Sequence, residues 1–189
     1  MSKKYELVVD DTITFWGWKL FRIKALISFG SVDAGDFGGY IYTEDNLSQE
    51  GDAWVWGDAK VWGDAKVSGN AWVWGDAKVW GDAKVWGNAK VWGDAKVWGN
   101  AEVSGNAKVW GDAKVSDLED VIVFKNHWSS GRHFTYTRSN KMWKVGCFYG
   151  TGQELIDKAY QDNDKSGNYY KAYIEFVEKL EALDESKRP

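Results

Sequence analysis

The chain has 189 residues, 44% of them hydrophobic and 28% charged, with 24 basic against 28 acidic side chains. That length and apolar content suffice for one domain or two small ones, and the near balance of charge gives no global pointer to nucleic acid. A single cysteine, Cys147, excludes an internal disulfide framework, and no stretch approaches the roughly 18 apolar residues of a membrane span.

With no apolar leader at the N-terminus, the expected setting is the cytoplasm, without a membrane partner. Residues 1–35 read as an N-terminal β cap, with short strands over 5–9, 12–15 and 20–27 and a bend at Trp16, Gly17 and Trp18. Its expected task is to cover the edge of the element that follows, where backbone groups would otherwise lie unpaired.

From Gly51 to Ser116 the sequence is eleven units of six: GDAWVW GDAKVW GDAKVS GNAWVW GDAKVW GDAKVW GNAKVW GDAKVW GNAEVS GNAKVW GDAKVS. Alanine and valine hold the third and fifth places of every unit, and a period of six excludes an α-helix. Two apart in an extended segment, Ala and Val share one side, while Lys between them and Trp after Val point to the other. Gly-Asp or Gly-Asn supplies a corner, because these residues tolerate positive φ. The chain therefore winds into a coil with Ala and Val inside and Lys and Trp outside. A single unit buries almost nothing, so coils must stack and hydrogen-bond to one another.

An aliphatic residue followed four places later by a small one, as in Val55 to Ala59 and Val61 to Ala65, resembles the hexapeptide-repeat proteins. The resemblance implies a mainly β fold: a left-handed parallel β-helix over residues 36–116, with three units per coil and about four to five coils. Ile41 and Leu47, six apart, extend it backwards as an irregular first coil. Phe21 to Leu26, Ala34 to Tyr40 and Asn46 to Gly51 also resemble a bacterial, often phage-associated subgroup whose members are described at best as transferases.

Three units per coil sort the outward side chains into columns spaced about 4.8 Å apart. The first face carries Trp56, Trp74, Trp92 and Trp110, with Trp54 and Trp72 beside the first two. Trp62, Trp80 and Trp98 line the second, and the third has only Ser68, Trp86 and Ser104. Asp58, Asp76, Asp94 and Asp112 form an acidic column at one corner, whereas another reads Asp52, Asn70, Asn88, Asn106. Eight Lys balance seven Asp and Glu102 within the repeat, so neighbouring columns are expected to neutralise one another. Indoles stack well in register, but four in a row with two beside them make a patch of interface size. The indoles of the first and second faces are thus the first candidate site, an interface or stacking ladder. The resemblance implies a homo-oligomer, trimer or dimer, as its cover.

Residues 117–189 read as a small C-terminal α+β module. Strands are expected over 121–125, 133–138 and 141–148, the last two joined by a turn at Ser139 and Asn140. Thr151 to Glu154 is a capping box for a first helix, and a second from about residue 168 carries Tyr170, Tyr173, Ile174, Val177 and Leu180 on one face. Between Asp120 and Glu154 there is no acid, and Lys125, Arg132, Arg138, Lys141 and Lys144 run together with His127, Trp128, His133, Tyr136 and Trp143. Cations for phosphate interleaved with rings for bases make this stretch the second candidate site, for nucleic acid or nucleotide.

Catalysis has little to stand on. The acyltransferases that the resemblance brings to mind use a histidine and a projecting loop, whereas the repeats here run unbroken and hold no histidine. Ser129 and Ser130 lie near His127 and His133, but adjacency in sequence says nothing about geometry. Cys147, His127 and His133 have no metal-ligand spacing, so no catalytic residue, metal or cofactor is expected. The reading is a non-catalytic, oligomeric scaffold presenting its C-terminal module to a protein partner, in a phage or prophage setting. Binding of nucleic acid or nucleotide and an acyltransferase are the alternatives.

Overall fold

In the computed structural model, which describes residues 3–185, every repeat unit places its fourth and fifth residues in a two-residue strand. Ahead of them come β1 (Tyr5–Phe15), β2 (Trp18–Ala25) and β3 (Phe37–Ile41). The repeat strands are β4 (Trp54–Val55), β5 (Lys60–Val61), β6 (Lys66–Val67), β7 (Trp72–Val73), β8 (Lys78–Val79) and β9 (Lys84–Val85). They continue as β10 (Lys90–Val91), β11 (Lys96–Val97), β12 (Glu102–Val103), β13 (Lys108–Val109) and β14 (Lys114–Val115). Register partners lie eighteen positions apart, as Trp54 with Trp72, Lys60 with Lys78 and Lys66 with Lys84. Three units therefore complete one coil, and about four coils stack into a β-solenoid with three parallel sheets, one per face.

The physical basis is visible at two positions of the unit. Every repeat alanine and valine is at most 1% exposed, so a small and a β-branched side chain from each unit fill the narrow interior. Every repeat glycine has φ between +60° and +73°, a region closed to most L-residues, which turns the chain through its corner.

The N-terminal segment departs from three separate strands. The expected strands over 5–9 and 12–15 are one, β1, whose register shifts between Val8 and Thr12, and β1 turns at Trp16 and Gly17 into β2. This hairpin joins the second face edge-on, giving the order β1-β2-β3-β5-β8-β11-β14. Ile41 pairs with Val61 and Leu47 with Val67, an offset of twenty. Two extra residues before the first full unit are what make the first coil irregular.

Beyond the repeat, β15 (Val121–Lys125), β16 (His133–Thr137), β17 (Met142–Val145) and β18 (Phe148–Gly150) form an antiparallel sheet in chain order. A turn at Gly146 and Cys147 divides the expected strand over 141–148 in two. The α1 helix (Gly152–Asp162) starts at the capping box: Glu154 N–H donates to the Thr151 hydroxyl at 3.3 Å, and Thr151 N–H to the Glu154 carboxylate at 2.8 Å. The α2 helix (Asp164–Glu185) begins four residues earlier than expected and buries Tyr170, Ile174 and Val177 against Phe134, Trp143 and Leu155. No described helix is long and apolar enough to cross a membrane.

The two ends of the solenoid need opposite chemistry. Each coil donates its strand N–H groups to the carbonyls of the next, as Trp54 N to Ala71 O at 3.0 Å. The first coil is thus left with bare carbonyls and the last with bare N–H groups. At the start the caps are donors: Lys4 Nζ reaches Ala53 O at 3.0 Å, the Tyr5 hydroxyl Leu47 O at 2.6 Å, and Asn46 Nδ2 Ala65 O at 2.8 Å. At the finish they are acceptors: Thr135 Oγ1 takes Lys108 N at 3.0 Å, Ser139 Oγ takes Lys114 N at 2.8 Å, and Asp120 takes Ser116 N at 2.7 Å. The C-terminal sheet is docked on the last coil by these bonds.

Candidate functional site

Successive coils place the sixth residue of their units in register, and the indoles stack. On the second face Trp62–Trp80 and Trp80–Trp98 lie 5.1 and 5.2 Å apart and within 9° of parallel. On the first, Trp74–Trp92 and Trp92–Trp110 stack at 4.7 and 5.4 Å. The expected ladders exist, but not all their rungs face outward. Trp54 is fully buried, with Tyr5 and Phe29 edge-on to it at 6.0 and 5.4 Å. Trp62 is 3% exposed beneath Leu20 and Tyr40, and Trp16 meets Trp62 and Trp80 edge-on at 5.7 Å each. At the other end of the first face Tyr149 lies 4.6 Å from Trp110, and Lys144 Nζ sits 4.2 Å over the same ring. The chain's own termini supply much of the cover that the bare repeat called for.

On the third face Trp86 is 44% exposed, and on the first face one place stays open. Trp56 does not stack on Trp74; it tilts by 57° against Trp72 at 6.4 Å and meets Trp54 edge-on at 6.3 Å. The cause is local: Trp54 and Trp72 stand where most units carry Lys, and their rings draw Trp56 out of line. The resulting cleft, about 380 Å³, is lined by Trp56, Trp72, Trp74 and Lys90, with the Lys90 ammonium 5.1 Å from the Trp72 ring.

The charge around this cleft is not neutralised. Among the described residues no repeat lysine makes an ion pair with an aspartate within 4 Å, contrary to the expected pairing of columns. Lys60 and Lys78 instead donate to the backbone carbonyls of Asp58 and Asp76 at 2.7 and 3.1 Å. Those two at least stand beside an acidic corner. Lys90 and its register partner Lys108 stand beside asparagines, which bond to each other: Asn70 to Asn88 at 3.2 Å and Asn88 to Asn106 at 3.5 Å. Lys144, 8% exposed, adds a third cation over Trp110 and Trp92. Burial lowers its pKa, Cys147 opposes that, and the Lys108 charge lowers it further.

The basic-aromatic stretch is dispersed by folding. Arg138 is paired with Asp184 at 2.6 Å and Glu119 at 3.2 Å, and Lys141 lies 3.7 Å from Glu181. Tyr136 is buried and donates to Glu181; burial first, then that bond, raises its pKa. Trp143 is core, and Trp128 stacks on Tyr169 at 4.7 Å. Lys125, His127 and Arg132 are exposed and His133 half-buried, and the Tyr173 hydroxyl is 3.4 Å from His127 Nδ1. Ser130 Oγ accepts from Arg132 N at 3.3 Å and serves the turn. The acids that pair with Arg138 and Lys141, Glu119, Asp184 and Glu181, lie outside the window in which the sequence showed none.

Sequence reasoning missed Tyr149 as a cap of the stack and Lys90 with Lys108 as uncompensated cations. The second had a signal: Asn replaces Asp throughout that column from the second coil onward, against a single Asn100 in the other two. No protein-family model and no curated protein matches the chain.

Proposed function

We propose that the protein is a non-catalytic scaffold, a left-handed solenoid of the hexapeptide type, that binds a protein partner on its first face. The observation carrying this reading is the gap between Trp56 and Trp74, the one interruption in two otherwise continuous stacks. Interfaces concentrate their energy in aromatic residues and cations at water-excluding pockets, and the cleft offers three indoles and an ammonium. Unbroken repeats without histidine favour a rigid support over a reaction site. The C-terminal module supports the scaffold as a cap, with Arg138 and Lys141 tied to its own acids.

The test is capture from host-cell extract with three baits: the native chain, Trp72→Lys, and Trp98→Ser on the second face. Both substitutions create units already present in the repeat, so the fold is preserved. A partner retained by the native chain and Trp98→Ser and lost by Trp72→Lys is the expected result. The same proteins on all three baits would overturn the reading. If the retained protein is a second copy of the chain, light scattering shows a dimer or trimer that Trp72→Lys dissociates.

A further inference from the structure

Resting on that binding role, we propose that the first face takes an acidic peptide segment of its partner, with one aromatic side chain entering the cleft between Trp56 and Trp74 and carboxylates pairing with Lys90, Lys108 and Lys144. Three observations meet here. The cleft interrupts the stack: rungs elsewhere repeat at 4.7 to 5.4 Å, whereas Trp74 has no stacked partner on the Trp56 side and meets Trp72 only edge-on at 6.4 Å. A guest ring on the open side of Trp74 continues the ladder. Next to it runs a row of cations, none paired with an acid among the described residues, on the side of the face bordered by asparagine from the second coil on, the acidic Asp58–Asp112 column lying at the opposite corner. Lys144 is more than nine-tenths buried against Trp110 and Trp92, so a carboxylate beside it would relieve a desolvated charge.

Other anionic partners fit less well. A single-stranded nucleic acid needs several free ring faces in succession, but Trp74, Trp92 and Trp110 have spent theirs on each other. The chain's net charge of −4 also opposes a long polyanion. An acidic glycan needs polar partners for its hydroxyls, and the cleft is walled by three indoles and one ammonium.

The experiment is fluorescence anisotropy on the full chain with a labelled peptide of twelve residues, one phenylalanine flanked by aspartates. The same peptide with alanine for phenylalanine, the same with lysine for aspartate, an oligothymidylate and an oligogalacturonate run beside it. The acidic aromatic peptide should bind, more weakly as salt rises, and lose about tenfold or more in affinity when alanine replaces its ring. Trp72→Lys should cost a similar factor, Lys90→Glu with Lys108→Glu should abolish binding, and Trp98→Ser should leave it unchanged. Glu102 already occupies the equivalent place in its unit, so the charge reversal suits the repeat. Equal binding of the lysine peptide, or indifference to Trp72→Lys, overturns the inference. Tighter binding of oligothymidylate or oligogalacturonate with the same sensitivity also overturns it, in favour of that class. If no probe binds but capture still depends on Trp72, the binding role stands and this ligand class falls.

Discussion

Two glycines in the same corner column separate the cost of a backbone conformation from the cost of stacking. Gly87 and Gly105 have φ of +72° and +62°, so alanine at either place pays the same left-handed penalty, about 1–2 kcal/mol. What a new Cβ would meet differs. At Gly87 it comes within 3.0 Å of Gly105 N and 3.2 Å of Gly105 O, the backbone of the next coil; at Gly105 nothing lies within 4 Å. Backbone cannot swing aside as a side chain can, so Gly87→Ala adds an overpacking cost of about 1–3 kcal/mol. Gly105→Ala should therefore lower Tm by about 2–8 °C and Gly87→Ala by roughly twice that, at about 2–4 °C per kcal/mol for a chain of this size. Urea or thermal unfolding followed by tryptophan fluorescence reads both. Equal losses would mean that neighbouring coils do not constrain each other at the corners, and the stacking argument would fail.

Two further outcomes concern the ends. Burial holds Lys4 at about 8, against 10.5 for a free lysine, with Asp52 partly compensating. Between those values the unfolded chain keeps a proton that the folded one has released, so this group makes stability rise with pH from about 8 towards 10. Tyr5, raised by burial and then by Glu44 and Asp45, acts oppositely: above pH 10.0 the unfolded phenol ionises first and stability falls. Subtracting the pH–stability profile of Lys4→Met from that of the native chain should isolate the rise; a flat difference between pH 8 and 10 would contradict it. At the other end, Thr135→Val with Ser139→Ala leaves the N–H groups of Lys108 and Lys114 unpaired. A loss of about 1–3 kcal/mol for the buried Thr135, less for the exposed Ser139, and concentration-dependent association through the bared edge are expected, measured by denaturation and light scattering.

The interior was legible in the sequence because alanine and valine never vary there, and a strict pattern has one geometric solution. The stacked indoles followed from the same register. What could not be read was which rungs would be covered. Tyr5, Phe15, Trp16 and Phe29 are distant in sequence from the indoles they meet, and no local pattern aims them. The basic stretch is thinned for a related reason: Asp184 and Glu181 reach Arg138 and Lys141 from about forty residues away, while Lys125 and Arg132 stay exposed. Charge counted along a window misses neutralisation across a fold.

In a chain built from near-copies, the departures from its own consensus carry more information than the consensus. The repeated lysine, aspartate and outer indole are accounted for by strand, corner and stack. Trp54 and Trp72 in place of Lys are not needed for any of these, since β10 and β13 on the same face do without them. Trp54 is explained by the N-terminal cap, which buries it. Trp72 has no such cover, and its ring, with Trp56 turned towards it, opens the only break in the first-face stack. The asparagines that leave Lys90 and Lys108 uncompensated fall on the same face. Two unrelated kinds of substitution, one aromatic and one electrostatic, converge on the first face, whereas the third face's departures, Ser68, Ser104 and Glu102, remove indoles or a cation, and that convergence favours a binding surface over an accident of duplication.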